Sequence, residues 1–349
     1  MNVQIYNSRK RMRPLLSVLV ILLVAFSVKA QDIHFAQFYH SPLNLSPALT
    51  GVHEGDRRFI GNLRSQWQAA LVPYKTFSGM FDSKVYSNKF KKGMLGVGAV
   101  FNYDVAGDGE LGNVQLTASG SYVMTIDAEN FLSFGLQVGV AQRSFRPASL
   151  TFDNQFDGEI FDPNRPINEQ FTNTAKVYGD VNFGVNWHGQ KLRKRTRLDV
   201  GAAVYHLNQP DQSFNPNDPA RLSSRISLYM MPTIQVNKTF DFVLNGMAQL
   251  QGAYTEGFIG AGGRIHLNQR RTKEMALQLT GSYRFNAFGD AVIPAAELHY
   301  KTWIVGLSYD INISDFQRAT NRYGGPELAI RYTITNVKPI NTFKICPII

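Results

Sequence analysis

Segment after segment of this chain alternates apolar with small or polar residues at a period of two, and the segments are long. In FLSFGLQVGVAQ, Leu132, Phe134, Leu136, Val138 and Val140 share one face, while Ser133, Gly135, Gln137, Gly139 and Ala141 share the other. In VQLTASGSYVMTI, Val114, Leu116, Ala118, Gly120, Tyr122, Met124 and Ile126 oppose Gln115, Thr117, Ser119 and Ser121. MALQLTGSYRFN and VNFGVNWH repeat the scheme. Side chains alternate between faces along a strand, so this is the strand period. Ordinary strands hold about 5–6 residues, and these runs are roughly twice that.

Long strands with one apolar and one polar face fit a barrel that crosses an outer membrane, with lipid outside and a polar lumen inside. A sheet in hydrocarbon must close, because an open edge leaves amides unpaired. A soluble sandwich would need shorter strands with their apolar faces turned inward. The expected fold is all-β, a transmembrane antiparallel β-barrel of about 14 strands preceded by an irregular N-terminal arm or plug. The strands are expected at 57–68, 74–86, 93–104, 111–126, 130–146, 174–188, 196–208, 222–237, 239–252, 255–268, 272–286, 290–301, 302–313 and 325–336.

The connections sort by length. The long ones, 147–173, 209–221 and 314–324, are all odd-numbered, whereas DAE, NKT, NQRR and Lys301-Thr302 are even-numbered and short. Outer-membrane barrels have short periplasmic turns and longer extracellular loops, so both termini are expected on the periplasmic side. Charge sorts the same way. The even turns carry Lys191, Arg193, Lys194, Arg195, Arg270 and Arg271, expected to face periplasmic partners. The odd loops carry Asp153, Asp157, Asp162, Asp211, Asp218 and Asp315, an acidic mouth expected to meet an external partner.

The first residues read as a secretory signal peptide. A basic run, Arg9, Lys10, Arg11 and Arg13, precedes an apolar stretch from Leu15 to Val28 and the small-residue site VKA. The apolar stretch is shorter than the roughly 20 residues of a spanning helix. Cleavage is expected between Ala30 and Gln31. The expected organisation is therefore signal peptide 1–30, arm or plug 31–56, barrel 57–336 and tail 337–349. The formal charge of +10 includes five basic residues in the first 30 and no acid there, which leaves 31 basic against 26 acidic residues and +5. That balance is no footprint of a nucleic-acid binder. The single cysteine, Cys346, allows no intrachain disulfide.

Motifs with chemistry fall away on inspection. DVAGDGE puts Ala106 and Gln115 where a calcium loop needs ligands. His206, Asn208 and Ser213 are residue types of a barrel lipase, but their spacing carries no geometry, and a triad is recognised by geometry. His188, His206, His266 and His299 lie on separate strands without metal-site spacing. No cofactor and no catalysis are expected. The polar faces do carry Arg264, Arg284, Glu297, Asp310 and Arg331. Charge in a lumen needs partners, so these are expected to form a paired network or to grip a plug. Trp187, Trp303, Tyr309 and Tyr332 lie on the apolar faces as an interface girdle requires.

QDIHFAQFYHSPLNLSPALTG, Gln31 to Gly51, neither alternates like a strand nor tolerates a long helix, since Pro42 and Pro47 interrupt it. Placed directly after a signal peptide, it resembles the start of the PorP/SprF family, outer-membrane proteins of the type IX secretion system of Bacteroidota. SQWQ, PYKTFSGMFD, GVGAVFNYDVAGDGEL, GLQVGVAQRSF, LTFDNQFDG, GAAVYHLNQPDQSF, VGLSYDINIS and YGGPELAIRYT follow in family order. The resemblance implies a non-enzymatic barrel that supports export or surface anchoring of an adhesin-like protein carrying a type IX C-terminal sorting domain. It also implies contact with the periplasmic secretion and gliding machinery, and an arm lying in the periplasm or the lumen. The competing reading is a passive outer-membrane porin or hydrophobic-solute channel.

Overall fold

A computed structural model of the chain describes residues 32–66, 73–86, 93–147, 150–156, 158–166, 173–215, 217–270, 273–286, 291–314 and 321–336. The fourteen strands are β1 (Arg57–Gln66), β2 (Tyr74–Val85), β3 (Gly93–Ala106), β4 (Leu111–Thr125), β5 (Asn130–Ser144), β6 (Ala175–Gln190), β7 (Arg197–Tyr205), β8 (Arg225–Gln235), β9 (Phe240–Gln251), β10 (Tyr254–Asn268), β11 (Met275–Asn286), β12 (Ala291–Tyr300), β13 (Trp303–Asn312) and β14 (Tyr323–Ile334). Each pairs antiparallel with its neighbours in sequence. β1 and β14 close the cylinder in a register running from Arg57↔Ile334 to Arg64↔Glu327. No strand edge is left for hydrocarbon to desolvate.

The alternation read from sequence becomes an inside and an outside. On β5, Leu136, Val138 and Val140 are 53%, 47% and 57% exposed, while Ser133, Gly135 and Gln137 are buried. β11 turns Leu279, Tyr283 and Phe285 outward and Gln278, Thr280, Ser282 and Arg284 inward. Aromatic rings ring both ends of the outer wall. Tyr300, Trp303 and Tyr332 lie at the short-turn end, with Trp303 stacked on Tyr332 at 4.4 Å. Tyr103, Tyr283, Tyr309 and Tyr323 lie at the long-loop end. Such belts place amphipathic rings at the two water interfaces. The short turns have a local cause: Asp127 accepts the N–H groups of Glu129 and Asn130, and Asn237 those of Thr239 and Phe240.

The arm lies in the lumen. It is not wholly irregular. A 3₁₀ turn (Phe38–His40), one α-helical turn (Pro42–Leu45) and a second 3₁₀ turn (Pro47–Leu49) succeed one another. The prolines that forbid a strand or a long helix instead open two of these turns, where the missing N–H has no partner to lose. Ala36, Phe38, Leu45 and Leu49 of the arm pack with Tyr229, Met247, Phe258, Ala291 and Ile293 of the wall, and Leu43 packs with Ile60, Met80 and Val100. Phe38 meets Phe258 edge to face at 5.1 Å. The hydrophobic core thus sits inside the cylinder, and the arm and the wall build it together.

Candidate functional site

The arm and the wall that grips it form the most elaborate polar site in the described residues. At the long-loop end the Arg64 guanidinium donates to the His34 carbonyl at 2.7 Å, and Arg225 donates to the Ile33 and Asn44 carbonyls at 3.4 and 3.0 Å. The Glu327 carboxylate accepts the Ala36 and Gln37 N–H groups at 2.7 and 2.8 Å. At mid-height Asn44 exchanges amide hydrogen bonds with Asn102 at 3.0 and 3.1 Å and also donates to Ser78. Asn62 donates to the His40 carbonyl, Tyr205 to Leu43 and Ser133 to Ala48. Near the short-turn end Ser121 donates to the Thr50 carbonyl at 2.6 Å, and Gly51 N–H donates to Asp82 at 2.8 Å. Asp82 is itself held by a two-pronged pair with Arg58 at 2.8 and 2.9 Å. Backbone without a ladder of its own is satisfied here by side chains of β1, β2, β4, β5, β7, β8 and β14, as buried backbone requires.

Two charge clusters frame the arm. At the loop end Asp310 accepts from Arg64 at 2.7 Å and from Arg284 at 2.9 Å, and Glu256 lies 3.6 Å from Arg284. Further down, Arg264 donates to Gln278 at 2.7 and 2.9 Å, and Gln278 donates to Glu297 at 2.6 Å. Glu297 in turn lies 3.2 Å from both His40 of the arm and His299. Four of the five lumen charges expected from alternation, Arg264, Arg284, Glu297 and Asp310, therefore join networks that reach the arm or its anchors. Arg331 does not. It stands opposite Ile60 and Ile304, and its side chain makes no hydrogen bond or ion pair among the described residues. The nearby acids are engaged elsewhere, Glu54 with Arg197 and Glu297 with the histidines. Arg58, Arg64, Asp82, Arg225 and Glu327 complete the grip without having been singled out. The same alternation places all five on lumen faces, and that parity is the signal that finds them.

At the foot of the arm, His53 lies 3.6 Å from Asp82. Burial, and then the Arg58 charge, lowers the His53 pKa to about 4. The ring is neutral at neutral pH.

The expected partner faces are only partly free. Asp153 and Asp218 are exposed on the loop face. Asp211 is a latch, accepting from Lys176 at 3.1 Å and from the N–H groups of Ser213 and Ala220. Asp162 accepts from Asn164 N–H and tightens a turn. Asp157 and Asp315 lie outside the described residues. At the short-turn end Lys191, Arg193, Lys194 and Arg270 are exposed. Arg195 folds back onto buried Asp241 and the Asn237 and Lys238 carbonyls, so its fork is not available to a partner. Arg271 lies outside the described residues, as do Ala30 and Gln31.

The two described ends of the chain lie at opposite ends of the cylinder. Ile33 and His34 sit level with the long loops, whereas Ile334 sits at the short-turn end. The termini themselves lie outside the described residues; within these, the arm runs the length of the lumen before β1 begins. The Ser-His pairing of a barrel lipase is not made. Ser213 Oγ lies 2.6 Å from the Asn215 and Asp218 carbonyls, one of which takes its proton, and His206 Nδ1 sits 2.8 Å from Asp180.

A family model described as Type IX secretion system membrane protein PorP/SprF matches residues 27–332. No curated protein matches the chain. Among solved structures, the chain is similar to the CymD monoaromatic hydrocarbon channel, with 10% identity over 88% of this chain and 95% of that one and a TM-score of 0.47. It is similar to a Pseudomonas aeruginosa FadL homologue, with 9% identity over 82% and 92% and a TM-score of 0.46. It is also similar to the translocator domain of the autotransporter NalP from Neisseria meningitidis, with 8% identity over 86% and 96% and a TM-score of 0.35.

Proposed function

The chain belongs to the PorP/SprF family of type IX secretion system membrane proteins and is a multi-pass barrel of the outer membrane; on that premise we propose that it works as a closed, non-enzymatic platform rather than a pore. Its task on this reading is to support export or surface anchoring of a partner protein, an adhesin-like chain with a C-terminal sorting domain. The observation that carries the reading is the filled lumen. Leu43, Ser46 and Ala48 of the arm are wholly buried at mid-height, and the arm's backbone is bonded to the wall from one end to the other. A passive channel would need that arm withdrawn, at the cost of the core it shares with β8, β9, β10 and β12.

Work then falls to the two rims. The long loops carry acidic residues and face the cell exterior, where the exported partner is held. The short turns expose Lys191, Arg193, Lys194 and Arg270 toward the periplasmic secretion and gliding machinery. A signal peptide ending at Ala30 delivers the chain to the envelope. The test is a chromosomal deletion followed by a comparison of surface-exposed proteins, with a second strain lacking only residues 147–173. One or more exported proteins should disappear from the surface in the first strain and be reduced in the second. An unchanged surface in the first strain would contradict the proposal.

A further inference from the structure

The loop between β5 and β6 contains a small built hairpin. Phe156 and Phe161 form an antiparallel bridge, and Asp162 N–H donates to the Gln155 carbonyl at 2.8 Å. Gln155 is 5% exposed and acts as a pedestal: its side-chain oxygen accepts Phe152 N–H at 3.0 Å, and its amide donates to the Pro163 carbonyl at 3.2 Å. A 3₁₀ turn (Asp153–Gln155) leads in, and Gly158 takes the positive φ of 99° that the tip requires. This ordered frame displays Phe156, Ile160 and Phe161 at 54%, 68% and 44% exposure.

Some apolar side chains elsewhere at the same rim find cover. Phe145 packs edge to face on Phe214 at 4.7 Å, Arg143 lies over the same ring at 5.8 Å, and Leu222 is buried. Three large apolar groups held outward by a hydrogen-bonded frame are the arrangement of an interface core. Charge selects the occupant. The stretch DNQFDGEIFD, residues 153–162, carries Asp153, Asp157, Glu159 and Asp162 and no basic residue. An anionic headgroup layer would repel such a tip, and a second copy would meet it with the same sign. A polypeptide with an apolar pocket and a basic rim complements it.

We propose that the tip formed by Phe156, Ile160 and Phe161 docks such a basic-rimmed polypeptide, and that this polypeptide is the exported partner. The inference rests on the platform reading above. Apolar contacts hold the partner, and the acids of the tip steer it.

The test uses the full chain expressed in its own cells. A deletion strain first identifies the surface proteins that depend on the barrel. Complementation follows with the native chain, with a triple variant (Phe156→Ser, Ile160→Ser, Phe161→Ser) and with a charge variant (Asp153→Asn, Glu159→Gln). Heat-modifiable gel mobility checks that each barrel folds. The triple variant should cut the surface amount of a dependent protein by about tenfold or more. The charge variant should cut it less, and added salt during assembly should reproduce that loss with the native chain. A photo-crosslinking residue at position 160 should join the barrel to that same dependent protein. If the deletion removes surface proteins but the folded triple variant restores them fully, the tip is not the dock and the platform reading stands. If the deletion changes nothing, both fall. Adducts to lipid or to a second barrel alone would overturn the choice of occupant.

Discussion

Asp310 holds two guanidiniums with a single oxygen, Arg64 at 2.7 Å and Arg284 at 2.9 Å, in a site where all three side chains are buried. Removing one member of such a cluster strands the charges that remain. Asp310→Asn should therefore cost about 3–5 kcal/mol, seen as a lower urea midpoint in lipid vesicles, whereas Arg284→Gln should cost less because Arg64 still faces the carboxylate. Equal losses would mean that the pair does not act through Asp310. His53 supplies a pH prediction. Its folded pKa of about 4 lies below the ordinary imidazole value of 6.5, so the unfolded chain takes up the proton first. Stability from this group is complete above about pH 6.5, falls as the pH drops toward 4 and is then level, a swing of up to about 3 kcal/mol. His53→Asn should flatten the unfolding midpoint over that interval. At this scale sequence reads parity but not partnership. Alternation puts Arg264, Arg284, Glu297 and Asp310 inside, yet Asp310 meets Arg64 across 246 positions, a distance in sequence that no local pattern spans. It also leaves Arg331 opposite two isoleucines, outside the paired network expected of it.

Strands are the most legible elements, because a period of two is set by the pleat and needs no tertiary contact to show itself. Every expected strand is present, with ends displaced by three residues or fewer. The arm is less legible. Pro42 and Pro47 exclude strand and long helix, but the turns actually taken depend on wall groups that only the closed cylinder assembles. Two wall glycines mark its path. A Cβ at Gly135 would collide with the Pro47 and Ala48 backbone, and one at Gly96 with the Thr50 backbone. Both face the lumen from strands whose ladders they leave intact. Gly135→Val should therefore leave the barrel heat-modifiable while exposing the arm to protease within residues 32–52. An arm still resistant in that variant would mean it does not pass where the wall narrows. The loop acids show the reverse limit. Their sign was readable, but Asp211 and Asp162 spend their oxygens on their own loops, and only local geometry reveals that.

As a whole molecule the protein is a barrel with lipid on one side of its wall and a packed, partly charged core on the other. Closure and the segregation of long loops to one rim follow from strand number and connection length, both of which are visible in sequence. The direction of the arm is not visible there, because it depends on which carbonyls meet Arg64 and Arg225 at the loop rim and which amide meets Asp82 near the turns. The filled lumen separates a platform from a pore. Single-channel recording in planar bilayers, with the mature chain beside a variant lacking residues 32–52, measures that difference directly. The account predicts no steady conductance from the mature chain and large, regular steps from the shortened one. Conductance of equal size from both would contradict it.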